Sequence, residues 1–96
     1  VAISKVGMIG GFNSWAGDSE LTYNAAEGCY KAEVKFQSAG EFKFRFNGGW
    51  DINLGGSLNN LTFGGANLKA DAGTYVVRLY LEQLNGRGIY ATLTAK

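Results

Sequence analysis

The chain has 96 residues with nine lysines and arginines against eight acidic residues, a net charge of +1, which is too small and too scattered for a phosphate-driven nucleic-acid partner. It has no histidine and a single cysteine, Cys29, which removes an internal disulfide, most zinc and haem chemistry and any triad built on an imidazole. No stretch reaches the ~20 apolar residues of a membrane helix, and Val1 to Lys5 lack the basic and apolar regions of a signal peptide, so no direct membrane insertion is expected and the sequence reads as a mature fragment or an excised domain.

Fifteen glycines without a proline, in a chain that is 46% apolar or aromatic, point to many tight turns rather than disorder. Residues 1–96 fit one domain, and a chain of this size buries roughly 60–70% of its unfolded surface in a single core. Period-2 alternation dominates, and it predicts an all-β chain. In chain order the candidate strands are Lys5 to Phe12, Glu20 to Tyr23, Cys29 to Gln37, Glu41 to Asn47, Trp50 to Leu54, Asn67 to Lys69, Thr74 to Gln83 and Gly88 to Ala95. Glu27-Gly28, Ser38-Ala39-Gly40, Asn47-Gly48-Gly49 and Asn85-Gly86 are the turn signals between them, and three hairpins are expected.

The faces follow from the alternation. Tyr30, Ala32, Val34 and Phe36 share the inner face of one strand, Phe42, Phe44 and Phe46 that of the next, and Tyr75, Val77, Leu79 and Leu81 that of a later one; Lys43, Arg45, Arg78 and Tyr80 are expected on the solvent side. Cys29 reads as a small half-buried thiol. Asn53 to Asn67, with two Gly-Gly pairs, reads as an ordered loop held by Leu58, Leu61 and Phe63; within it Asn60-Leu61-Thr62 matches the N-glycosylation pattern. An immunoglobulin-like antiparallel β-sandwich of seven or eight strands is the expected architecture, with a small closed barrel as the alternative.

The candidate functional residues lie where strands give way to loops. Trp15 closes Ile9-Gly10-Gly11-Phe12-Asn13-Ser14-Trp15, and Trp50 closes the strand that carries Lys43 and Arg45. Apolar platforms beside forked donors suit a sugar, whose ring offers C–H patches on its faces and hydroxyls at its edge. The bland alternatives are a tryptophan that plugs the core or the open end of the sandwich, and basic residues that solvate a strand or pair with Glu33 or Glu41. Glycoside hydrolysis needs two carboxylates about 5–10 Å apart across a cleft. Asp18, Glu20, Asp51 and Asp71 fall in or beside loops with no pair singled out by spacing, so no enzyme, cofactor or metal is expected.

Gly11-Phe12-Asn13-Ser14-Trp15 followed by Phe42-Lys43-Phe44-Arg45-Phe46-Asn47-Gly48-Gly49-Trp50 resembles the glycogen-binding domains of the AMP-activated kinase β subunit and of branching enzymes. Asp51-Ile52-Asn53-Leu54-Gly55-Gly56, Gly64-Gly65-Ala66-Asn67 and Ala72-Gly73-Thr74-Tyr75 extend the likeness over nearly the whole chain to the C-terminal domains of the SusE/SusF starch-binding outer-membrane lipoproteins of Bacteroidetes. The resemblance implies an immunoglobulin-like sandwich that binds α-glucan, a polysaccharide or oligosaccharide, without cleaving it. Trp15 and Trp50 would form the aromatic platform and Lys43 would donate to sugar hydroxyls, with Arg45 and Asn47 as further ligand-binding residues. It also implies a cell-surface location, on the outer membrane, through a lipidated residue outside this chain, and neighbouring domains or transport-complex proteins as further partners. The rival is a structural or adhesion module of the same architecture with tryptophans in the core, and exposure of Trp15 and Trp50 separates the two.

Overall fold

The computed structural model describes residues 5–81 and 88–96. The strands are β1 (Val6–Gly10), β2 (Ser19–Asn24), β3 (Cys29–Phe36), β4 (Gly40–Phe46), β5 (Asn53–Ser57), β6 (Asn60–Phe63), β7 (Leu68–Ala70), β8 (Gly73–Tyr80) and β9 (Tyr90–Ala95). All pairings are antiparallel, along the path β6-β5-β4-β1-β2-β3-β8-β9, with β7 also on β4. The fold is therefore all-β, as the alternation predicts.

The path is continuous because β2 serves both halves. Its residues Ser19 to Leu21 pair with β1, and Thr22 to Asn24 pair with β3. The two ends then approach each other: Leu61 N–H donates to the Ile89 carbonyl and Ala91 N–H to the Leu58 carbonyl, each at 2.8 Å. The result is one antiparallel sheet folded over until it nearly closes into a barrel, with nine strands among the described residues where seven or eight were expected.

The core lies between the two halves. Phe42, Phe44 and Phe46 on β4, Val34 and Phe36 on β3, Val77 and Leu79 on β8, and Val6 and Met8 on β1 are all buried together. Phe36 meets Phe42 edge-on at 5.7 Å between centroids, across the interior. This contact explains why Ser38-Ala39-Gly40 does not close a hairpin: β3 and β4 do not pair, and the segment carries the chain from one half to the other. Glu27-Gly28 and Asn47-Gly48 do sit between paired strands. Asn47 and Gly48 both take positive φ, 59° and 68°, the conformation that a tight Asn-Gly turn demands. Asn85-Gly86 and the end of the strand expected to reach Gln83 lie outside the described residues.

Two expectations fail locally. Trp50 does not begin a strand, since β5 starts at Asn53. The segment expected to be a loop instead forms the β5–β6 hairpin, with Leu54 opposite Phe63 and Ser57 opposite Asn60. Leu54 and Leu61 are buried and hold the hairpin on the core, whereas Phe63 is 68% exposed and holds nothing. Gly55 makes this possible: a Cβ there would lie 2.3 Å from the Ala66 carbonyl oxygen, so only glycine lets the chain after β6 fold back over β5.

Lys43 also departs from expectation. It points away from the phenylalanines yet is 9% exposed, and Ile9 directly opposite it is 1% exposed. The outer face is itself covered at this point. Phe44 is fully buried, and replacing it with alanine should cost about 3–5 kcal/mol, most of it transfer and cavity terms; urea unfolding followed by tryptophan fluorescence measures this, and a loss under about 1 kcal/mol contradicts the assigned face.

Candidate functional site

The loop after β1 is built around Asn13. A single 3-10 turn, Gly11–Asn13, follows the strand. Phe12 packs on Phe36 at 4.8 Å and anchors it to the core. The Asn13 side chain accepts from Gly10 N–H at 2.9 Å and donates to the Met8 carbonyl at 3.2 Å and to Ser19 Oγ at 3.3 Å. One residue thus ties the turn to the strand before it and the strand after it.

Next come Ser14 and Trp15, both left-handed at φ 60° and 55°, with Trp15 N–H on the Gly10 carbonyl at 2.9 Å. Two consecutive non-glycine residues in this region cost roughly 1–2 kcal/mol each. Such conformations persist only where the surroundings over-determine them, and Asn13 and Phe12 supply that determination. The ring at this position is 40% exposed.

Trp50 reaches the same place from the β4–β5 loop and is 46% exposed. The two indoles lie 6.2 Å apart with a 31° tilt. Arg45 stacks on Trp50, its guanidinium carbon 5.0 Å from the ring centroid, and its Nε donates to Asp18 Oδ1 at 2.6 Å. The Asp18 side chain can lie there because residue 7, opposite Arg45 in the ladder, is glycine; a Cβ at Gly7 would come within 2.6 Å of the Asp18 Cβ. Lys43 joins through Asn53, whose Oδ1 accepts from Lys43 Nζ at 2.5 Å while its Nδ2 donates to the Trp50 carbonyl at 2.9 Å. One of the three Lys43 N–H bonds is used this way, and no other protein acceptor bonds it among the described residues.

The structure therefore brings Trp15, Trp50 and Arg45 together and links Lys43 to Trp50 through one amide. Asn47 is placed differently: it sits at the turn apex, where its Oδ1 accepts from Lys5 N–H at 3.3 Å. Asn13, Asp18, Asn53 and Gly7 escape the sequence reading. A readable signal existed for Asp18, an acid close behind the Gly-Phe-Asn-x-Trp run, and for Gly7, a lone glycine inside an apolar strand.

Arg78 and Tyr80, on the opposite half, form another cluster. Arg78 Nε donates to Glu27 at 2.6 Å, and Tyr80 stacks on Tyr90 at 4.5 Å with an 11° tilt. Lys31 and then Arg78 hold the Glu27 carboxyl below its usual range, and burial, followed by the Glu27 charge, raises the Cys29 thiol. These two rings are half-buried and stack on each other. Among the described residues, no three acidic or cysteine side chains gather where a metal could sit.

No protein-family model, curated protein or solved structure matches the chain. Asn13→Ala removes three hydrogen bonds from a part-buried side chain, and should lower stability by about 1–3 kcal/mol. Iodide should then quench Trp15 more readily in the folded variant, measured in a Trp50→Phe background so that Trp15 alone emits; unchanged quenching would mean that Asn13 does not hold this ring.

Proposed function

We propose that the chain is a noncatalytic carbohydrate-binding domain, of the immunoglobulin-like SusE/SusF type, that captures α-glucan at the bacterial cell surface. The observation that carries this reading is the joint exposure of Trp15 and Trp50, 40% and 46%, with their rings 6.2 Å apart. Large aromatic residues half in water and side by side mark a binding surface more often than a core plug. This favours a glycan platform over the structural or adhesion module, in which the two indoles would be buried.

The surrounding chemistry fits the ligand class. The 31° angle between the rings suits a chain of sugars that bends, as α-linked glucose does, better than a flat ribbon. Arg45 contributes chiefly as the support behind Trp50, and Lys43 supplies donors to hydroxyls beside the rings. Asn47 belongs to the turn that presents Trp50. The mechanism is capture by shallow, rigid contacts, with modest affinity per site that tandem copies raise through effective concentration. Attachment to the outer membrane through a lipidated residue outside this chain, with neighbouring domains or transport-complex proteins as partners, completes the proposal.

Soluble α-glucan such as maltoheptaose or amylopectin should bind without release of new reducing ends. Covering one indole face is worth on the order of 1–3 kcal/mol, so Trp50→Ala should weaken binding about tenfold to a hundredfold while the fold survives. Lys43→Ala should cost less in affinity, about 0.5–1.5 kcal/mol for a hydrogen bond in competition with water. Calorimetry and affinity electrophoresis on wild type and both variants, with circular dichroism to check folding, decide the matter: wild type that is not retarded by starch, glycogen or a broad glycan panel overturns the reading.

A further inference from the structure

The seam between the two ends of the sheet is closed over only part of its length. At one end the β5–β6 hairpin bonds to β9 through Leu58 and Leu61. Beyond it, β7 and the second half of β9 flank a groove of about 470 Å³, lined by Gly40, Glu41, Leu58, Lys69, Tyr75 and Leu93 among others. Tyr75 directs its hydroxyl to the Asp71 carbonyl at 2.8 Å, which satisfies its polar end, so the ring joins Leu58 and Leu93 as an apolar floor.

Both walls are strand edges. Lys96 N–H donates to the Thr74 carbonyl across the β8–β9 ladder, and Ala91 N–H donates away from it to Leu58. Backbone groups alternate sides along a strand, so Leu93 and Ala95 turn their N–H and C=O groups away from β8 as Ala91 does. On the other wall, the Phe46 N–H bond to the Ile52 carbonyl fixes the even-numbered residues of β4 as those facing β5 and β7. Gly40 and Phe42 therefore bond to Ala70 and Leu68, their register partners, and Lys69 turns its own backbone groups outward to the groove.

We propose that this groove receives an extended segment of a partner protein, which adds a short strand along β9 and continues the seam that the β5–β6 hairpin begins. About three or four residues fit alongside β7 and the open half of β9, at ~3.3 Å per residue. One apolar side chain would rest on Leu58, Tyr75 and Leu93. A basic residue beside it would meet Glu41 and Asp71, two carboxylates against the single ammonium of Lys69 in the lining. Backbone donors and acceptors that bond no other described residue, over an apolar floor, are what strand addition uses, and a sugar would leave most of them unmatched. The proposal does not depend on the glycan site.

The test attaches the strand KVTVK after Lys96 through a Gly-Ser linker, which raises its effective concentration into the millimolar range. Amide hydrogen exchange is then read by NMR at Leu93, Ala95 and Lys69, with the β1–β4 amides as the check on folding. Exchange at these three positions should slow at least tenfold relative to the untethered chain, and the effect should vanish with KVPVK, whose proline lacks the central N–H, and weaken with EVTVE. No slowing with KVTVK overturns the proposal. Equal slowing with EVTVE overturns the basic requirement, slowing that grows with the concentration of the untethered chain assigns the groove to a second copy instead, and slowing by maltoheptaose assigns it to glycan.

Discussion

Strand β4 is the element on which both the core and the candidate site depend. Its inner face buries Phe42, Phe44 and Phe46, and its outer face carries Arg45 onto Trp50 and Lys43 onto the Asn53 amide that holds the Trp50 carbonyl. Along one edge it pairs with β1 and along the other with β5 and β7. Side chains alternate with a period of two, so a slip of one residue would send three phenylalanines into water and two cations into the core. The cost of that exchange fixes the register, and the register fixes where Arg45 meets Trp50.

The position of the tryptophans rests on local hydrogen bonding rather than on burial. Trp15 is held by a loop whose strain is balanced by Asn13, Phe12 and the bond to the Gly10 carbonyl. Trp50 is held by Asn53 through its backbone and by Arg45 through its ring face. Asp18 fixes Arg45 in turn, with an ion pair whose partners have only 11% and 21% of their side-chain surfaces exposed. A platform ordered in the absence of ligand loses little side-chain entropy on binding, and this matters most where the contact area is small.

Much of the fold was legible because the strands that cover the core alternate cleanly. The faces of β3, β4 and β8 follow directly from the period, as do the turns at Gly28 and Asn47. The β5–β6 hairpin was not legible, because Leu54-Gly55-Gly56-Ser57 has too few side chains to display a period; its pairing depends on Gly55 admitting the Gly65–Ala66 backbone, a contact between distant residues. Ser38-Ala39-Gly40 looks like a hairpin turn, and only the Phe36–Phe42 packing across the core makes it a crossing. At the site, the aromatic and basic residues were legible as types and Asp18 had a signal in its place close behind the Gly-Phe-Asn-x-Trp run, whereas Asn53 acts through contacts to Lys43 and Trp50 that sequence spacing does not encode.

Lys43 shows how the core and the site constrain each other. A buried ammonium loses hydration that a neutral amide restores only in part, so as a structural element alone Lys43 would be a poor choice beside Ile9, and an apolar residue would pack there at lower cost. Its ammonium bonds Asn53 Oδ1 and, among the described residues, no other protein acceptor, so under the function proposed above its remaining N–H groups are the donors a polar ligand would use. Sugar hydroxyls are suited to this because they accept without carrying charge, and they leave the Asp18–Arg45 pair intact behind Trp50. A carboxylate or phosphate ligand would instead compete with Asp18 for Arg45 and loosen the ring that it was meant to contact. The Asp18–Arg45 pair behind Trp50 is therefore compatible with the neutral polyhydroxylated partner proposed above, which leaves that pair unbroken.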